Sequence, residues 1–250
     1  ELEAWIAPAA SIPNTLGEIG RLREISFRAA GEGSGRGRDL DRFDAHYQHL
    51  FLWDRAGRRL AGGYRLGLVD ELLARGGSSA LYTSSLFEYG PEALRALGSG
   101  LELGRSFVAP DYQRAYAPLL TLWRGIGAFV ARNPRYRTLF GPVSISADYH
   151  PLSRQLLGHW LEVEHPHATL FGKVRGRTPP EFGTLHGLSP RQLRELATGR
   201  ADVSRLVPQI ERNRRGVPVL LAEYLKLGGK LLALNVDANF QDALDALLVV

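Results

Sequence analysis

Apolar residues along this chain recur at two spacings, and the switches between them mark out its elements. In residues 14–30, Leu16, Ile19, Leu22 and Ile25 fall on one side of a helix, with Asn14 or Thr15 in position to cap it. Residues 31–38 hold four glycines and no apolar side chain, so they are expected as a loop. Residues 47–53 and 60–68 read as two strands of a hairpin turning at Gly57. A helical turn over 71–76 and a short helix after Pro91 follow. In 101–108, Leu101 and Leu103 alternate and then Phe107 and Val108 follow, a strand stopped by Pro110. Residues 119–132 place Leu119, Leu122, Trp123, Ile126, Phe129 and Val130 on one helical face, and Asn133-Pro134 ends the run. A strand over 138–145 and a helix over 151–160 complete a strand–helix–strand–helix order, which predicts a βα core.

The last third changes character after Pro179-Pro180. Ser189 is placed to cap a helix over 190–196, and 201–214 continues helical. Residues 217–227 are amphipathic and end at Gly228-Gly229. A core helix is preferred there over one lying on a membrane surface. Strands are expected over 230–236 and 247–250. A chain that opens on Glu1 without methionine and stops inside an apolar run is expected to be part of a longer one.

Composition narrows the function classes. With 250 residues, 44% hydrophobic and 23% charged, the chain is expected to fold around a sizeable core. It has no cysteine, which excludes disulfides, thiolate metal sites and cysteine nucleophiles. A net charge of +5 suits an acidic protein partner or an anionic membrane surface. Nucleic acid is not expected, because no basic run is interleaved with aromatic residues. No 18-residue apolar stretch and no signal-peptide pattern is present, so the expectation is a cytoplasmic protein with transient, peripheral contact at the inner membrane.

Three charged segments stand out. Arg38, Asp39, Asp41, Arg42 and Asp44 crowd the approach to a strand, and Arg65 sits inside the next strand. Glu102 and Arg105 share a third strand. Three residues apart, they face opposite sides unless a bulge near Gly104 brings them together. Charges inside strands need partners, so either an ion network or a site is implied. His165 and His167 would share one face of a strand but lack a third ligand, so no metal site is expected.

The order Arg23, Phe27, Asp39, Asp41, Asp44, Arg65, Glu102, Arg105 resembles the charged framework of acyl-homoserine lactone synthases. A closer resemblance is to ornithine-lipid synthases and N-acyl amino acid synthases, GNAT-superfamily N-acyltransferases often labelled hemolysin-like. It rests on residues 38–44, 101–108, 141–146 and 224–229 in the same order, and covers residues 14–250. The tryptophan expected soon after Phe27 in the lactone synthases is absent, and the loop from Gly31 to Gly35 stands there instead.

The resemblance implies an α/β (α+β) fold: a GNAT-like mixed central sheet, splayed between the strands at 101–108 and 138–145 and flanked by helices. A GNAT-like core over 14–175 would carry a mostly helical C-terminal extension over 176–250, with returning strands. The implied activity is transfer of a (3-hydroxy)fatty acyl group to the amine of an amino acid such as ornithine or glycine, in aminolipid biosynthesis. The alternatives are a lactone-synthase-like enzyme and a non-enzymatic, membrane-binding hemolysin-like protein. No tightly bound cofactor is expected. The co-substrate would be the 4'-phosphopantetheine thioester of acyl carrier protein, or acyl-coenzyme A. Coenzyme-A-dependent relatives hold the pyrophosphate on a glycine-rich turn opening a helix, expected here near Gln113. This turn, Gln113 to Pro118, has no glycine, and Pro118 lacks an amide donor, which favours the carrier protein. Arg114, Arg135 and Arg137 would help dock that acidic partner. Glu102 would serve as general base with Arg105 beside it, and amides near Phe107 and Val108 would hold the oxyanion. Arg23, Phe27, Asp39, Asp41, Asp44, Arg65, Ser144 and Ser146 would line or brace the substrate pocket.

Overall fold

The computed structural model describes residues 1–185, 187–197 and 200–250, with the backbone alone for 200–202. The chain divides into two compact units: Glu1–Ser84 with Arg95–Phe140, and Ser85–Leu94 with Gly141–Val250. Its strands are β1 (Leu2–Pro8), β2 (Gln48–Asp54), β3 (Arg59–Leu68), β4 (Phe87–Tyr89), β5 (Gly100–Val108), β6 (Thr138–Ile145), β7 (Val174–Gly176), β8 (Lys230–Asp237) and β9 (Ala243–Val249). Its helices are α1 (Pro13–Ala29), α2 (Val69–Gly76), α3 (Pro91–Leu97), α4 (Ala117–Arg132), α5 (Pro151–Glu164), α6 (Pro190–Leu196), α7 (Arg200–Ile210) and α8 (Val219–Lys226).

The first unit is built on strands in the order β1-β2-β3-β5, with the start of β6 alongside β5. All pairs are antiparallel except β5 with β6, whose parallel ladder joins Gly100–Glu102 to Thr138–Phe140. Beyond those three pairs β5 continues along β3, which is the parting of strands expected from the sequence. Helix α1 packs on β3 and β5, and α4 packs on β1, β2 and β3. Helix α1 begins at Pro13, one residue before the expected caps, with Ile12 in the capping position. Proline's fixed φ suits a first helical turn, where its missing amide donor is not needed. Helix α4 begins at Ala117 rather than near Gln113, and Pro118 occupies its first turn.

In the second unit β8 and β9 pair antiparallel, with β9 next to β6. Strand β9 starts four residues before the expected 247, because Asp245 interrupts the apolar run in sequence yet lies buried as the acceptor of Ser144 Oγ at 2.7 Å. Helix α7 ends at Ile210, short of the expected 214, and carries Pro208 in its last turn. Helix α5 packs on α6, α7 and β8. Ser189 and Gln192 form a reciprocal cap at the start of α6, as expected. Helix α8 buries Leu221 and Tyr224. His165 and His167 are not on a strand: His165 ends α5, and the His167 ring caps the turn at Thr169 and Leu170.

Candidate active site

Six of the charged residues singled out in sequence converge in the first unit. Helix α1 supplies Arg23, the loop before β2 supplies Asp39, Asp41 and Asp44, β3 supplies Arg65, and β5 supplies Arg105. Arg23 donates to Asp39 Oδ2 at 2.9 Å and to Asp44 Oδ1 at 2.7 Å. Arg65 Nη1 donates to Asp41 Oδ1 at 2.7 Å and lies 3.3 Å from Asp44 Oδ1. Arg105 approaches Asp39 at 3.3 Å and Asp41 at 3.5 Å. Three cations thus meet three anions, which is the condition under which charges can leave water. The acidic loop also braces itself, since Asp41 N–H donates to Asp44 Oδ2 at 2.7 Å and Phe43 N–H to Asp41 Oδ1 at 2.9 Å.

The electrostatics follow from this pairing. Burial pushes the Asp44 carboxyl up, but Arg23 and Arg65 outweigh it and hold the group well below the usual carboxylate range. Burial pulls Arg65 down, and Asp44 and Asp41 more than restore it. His49, buried on β2 with Nε2 2.9 Å from the Asp44 carbonyl, is held below its ordinary value chiefly by desolvation.

Arg105 is reached through a backbone irregularity. Gly63 pairs with Phe107 but Arg65 pairs with Gly104, so β5 carries one extra residue at this point. Arg105 takes a left-handed φ of 52° there. The expected bulge is in place, and it returns Arg105 to the side that Glu102 faces. The guanidinium carbons of Arg65 and Arg105 each lie 4.7 Å from the centroid of the Tyr82 ring, and Arg65 is also 5.0 Å from Tyr47.

Glu102, opposite Gly67 on β3, is fully buried. Its Oε2 accepts from the Tyr47 hydroxyl in a very short hydrogen bond, and its Oε1 accepts from the Thr83 amide at 2.7 Å. The Tyr47 oxygen in turn accepts the Tyr82 amide at 2.8 Å. Burial first, and then the Glu102 carboxylate, push the Tyr47 phenol far up, so it is a donor at any ordinary pH. Gly67 makes room for this: a Cβ there would sit 2.5 Å from the Tyr47 ring.

The other expected residues divide. Phe27 and Phe107 are buried, and the Val108 carbonyl accepts from Ser26 Oγ at 3.3 Å and Gln113 Nε2 at 2.9 Å. Ser144 and Ser146 belong to the second unit, where Ser146 Oγ accepts the Asp148 amide at 3.2 Å. Arg114 is exposed, and Arg137 donates to the Pro134 carbonyl at 3.0 Å. Arg135 is already paired, 3.0 Å from Glu71 and 3.5 Å from Asp70. Sequence reasoning missed Tyr47, Tyr82 and Thr83, the immediate partners of Glu102 and Arg105. It also missed Glu24, buried on α1, which accepts from Arg28 and from the Ser34 and Gly35 amides and so pins the glycine-rich loop. Among the described residues no group of three or more histidines and carboxylates could hold a metal ion, and no helix is long and apolar enough to cross a membrane.

A mixed sheet whose parallel strands part after three pairs, flanked by helices, is GNAT-like. The sequence model described as an acetyltransferase (GNAT) domain matches residues 22–124. The chain is 30% identical over 253 residues to the glycine N(alpha)-acyltransferase of Bacteroides thetaiotaomicron, covering 96% of this chain and 73% of that protein. It belongs to the GNAT acyltransferase family that holds this relative, and it is an acyltransferase. It is also 29% identical over 147 residues to the L-ornithine N(alpha)-acyltransferase of Agrobacterium fabrum, covering 55% of this chain and 48% of that one. Among solved structures it is similar to the acyl-homoserine lactone synthase LasI, at 16% identity and a TM-score of 0.42, over 68% of this chain and 84% of that one.

Proposed function

We propose that this enzyme moves a fatty acyl group, 3-hydroxylated in the donor, from a carrier thioester to the α-amine of a small amino acid. The product would feed aminolipid synthesis. Glycine is the preferred acceptor in this reading and ornithine the second. The observation that carries it is the similarity to a glycine acyltransferase along 96% of the chain, whereas the ornithine relative matches 55%.

The amine nitrogen attacks the thioester carbonyl, the C–S bond breaks, and the thiol departs with a proton. Glu102 accepts the proton shed by the amine, with Tyr47 as relay, since the Tyr47 hydroxyl already donates to it. Arg105, the least buried of the three network arginines, binds the acceptor carboxylate, and Asp39 and Asp41 hold its guanidinium in place. Arg23, Asp44 and Arg65 brace that pair. The β5 amides at Phe107 and Val108 receive the oxyanion. A turn without glycines and with Pro118 in the first turn of α4 supports acyl carrier protein over coenzyme A as donor. Of the docking arginines, Arg114 and Arg137 have no carboxylate partner among the described residues and would carry that contact, with Arg135 offset by Asp70 and Glu71.

The test is thiol release from 3-hydroxypalmitoyl carrier protein with glycine, ornithine or no acceptor. Glycine-dependent release with N-acylglycine by mass spectrometry is expected. Glu102→Gln should lower kcat by roughly 100-fold or more with little change in Tm. Release that ignores the amine, or full turnover in Glu102→Gln, would refute the reading.

A further inference from the structure

The second unit contains a cavity that the acyl-transfer chemistry does not use. It measures about 210 Å³ and is formed by the first turn of α5, residues 180–182 and the turn from β8 into β9. That is below the range of about 300–1,000 Å³ typical of drug-sized sites, and suits a molecule the size of an amino acid.

Its polar groups are incompletely used. Arg154 lines the cavity, half-buried, and donates through Nη2 to the Asp242 carbonyl in a very short hydrogen bond. Its Nε is buried with no hydrogen-bond partner, and among the described residues it has no carboxylate within ion-pair distance. Burial pulls its guanidinium below the usual arginine range, with Asp242 opposing only from a distance. Next to it, Gln155 Oε1 is buried with no donor. Every buried cation of the charged network has a carboxylate, whereas this arginine lacks one.

The apolar wall is fixed. Phe182 lies over α5 at Gly158, where a Cβ would come within 2.4 Å of the ring, and its centroid is 4.7 Å from that of His159. Leu244 lines the cavity beside it. The lip is strained, because Gln241 and Asp242 both take left-handed φ values, 57° and 56°. That turn brings the Asp242 carbonyl to Arg154, and Asp242 and Glu181 both line the cavity.

We propose that this cavity binds a free α-amino acid with an apolar side chain. The carboxylate meets Arg154, the ammonium meets Gln155 Oε1 with Asp242 and Glu181 nearby, and the side chain lies against Phe182 and Leu244. An arginine supplies the fixed donors that a carboxylate matches, and a buried amide oxygen is completed by an ammonium donor. The site lies wholly within the second unit and takes no residue from the network of Arg23, Asp39, Asp41, Asp44, Arg65 and Arg105.

The experiment titrates the full chain with L-leucine, isopentylamine and 4-methylpentanoate, by calorimetry and by thermal shift. L-Leucine should bind once per chain and raise Tm, and each analogue, lacking one charged group, should bind at least ten-fold more weakly. Arg154→Gln should lose leucine binding at least ten-fold while keeping thiol release. Glu102→Gln should bind leucine like the parent, so that failure of the acyl-transfer reading and failure of this one are separable. Absence of leucine binding, an analogue that binds as well as leucine, parental affinity in Arg154→Gln, or loss of binding in Glu102→Gln would each overturn the proposal.

Discussion

Arg65 and Arg154 are both drawn out of water, and they meet opposite surroundings. Arg65 is 1% exposed and is answered by Asp41 and Asp44, with Tyr47 and Tyr82 against its face. Arg154 is half-buried and is answered by a backbone carbonyl alone among the described residues. The first arrangement balances its charges, although among the described residues Arg65 Nε and Nη2 are buried without hydrogen-bond partners, and it ties neighbouring strands and a loop together. The second is short of one counter-charge among the described residues. Burial alone therefore does not set what an arginine can do; the counter-charges around it decide how much of its charge is already answered.

Asp44→Asn gives the largest expected effect. It leaves Arg23 and Arg65 buried without their shared carboxylate, which costs about 3–5 kcal/mol. In a chain of this size that lowers Tm by roughly 10 °C. The same variant alters the acid limb of stability. Asp44 has a folded pKa below its unfolded one, so its contribution is present above about pH 4 and fades as pH falls through the lower folded value. Urea midpoints measured across pH should fall steeply below about pH 4 in the parent and less steeply in Asp44→Asn. Parallel acid limbs would show that Asp44 is not the group that matters there.

Paired substitutions give smaller effects and sharpen the contrast. Arg65→Met strands Asp41 and Asp44 and should cost several kcal/mol, at the order of about 3. Arg154→Met, tested without ligand, replaces an unpaired, desolvated cation by a side chain of similar length and should change stability by less than about 1 kcal/mol, in either direction. Equal losses in chemical denaturation would mean that Arg154 has a counter-charge after all.

Much of this architecture was legible in sequence where spacing was strong. Helices α1, α4 and α5 and strands β2, β3, β5, β6 and β8 came from periodicity and from glycine and proline punctuation. Strand β1 was not seen, because an edge strand with no residue fully buried shows little alternation. Strands β4 and β7 are three residues each and exist only by pairing with one another. The charged network was legible as residues out of place in strands, since Arg65, Glu102 and Arg105 had to find partners. The choice of partners was not. Tyr47 opens an apolar strand and reads as core, and Glu24 stands four residues before Arg28 and reads as a solvated pair. Nothing local marks Thr83 as the residue whose amide meets Glu102.

The left-handed backbone at Arg105 has a consequence for how this position tolerates change. Glycine would adopt that φ without strain, while any side chain there carries a penalty of about 1 kcal/mol or more. Arginine holds its place there because its ion pairs with Asp39 and Asp41 outweigh that strain, so a library randomised at this codon and screened for thermal resistance would return arginine ahead of glycine.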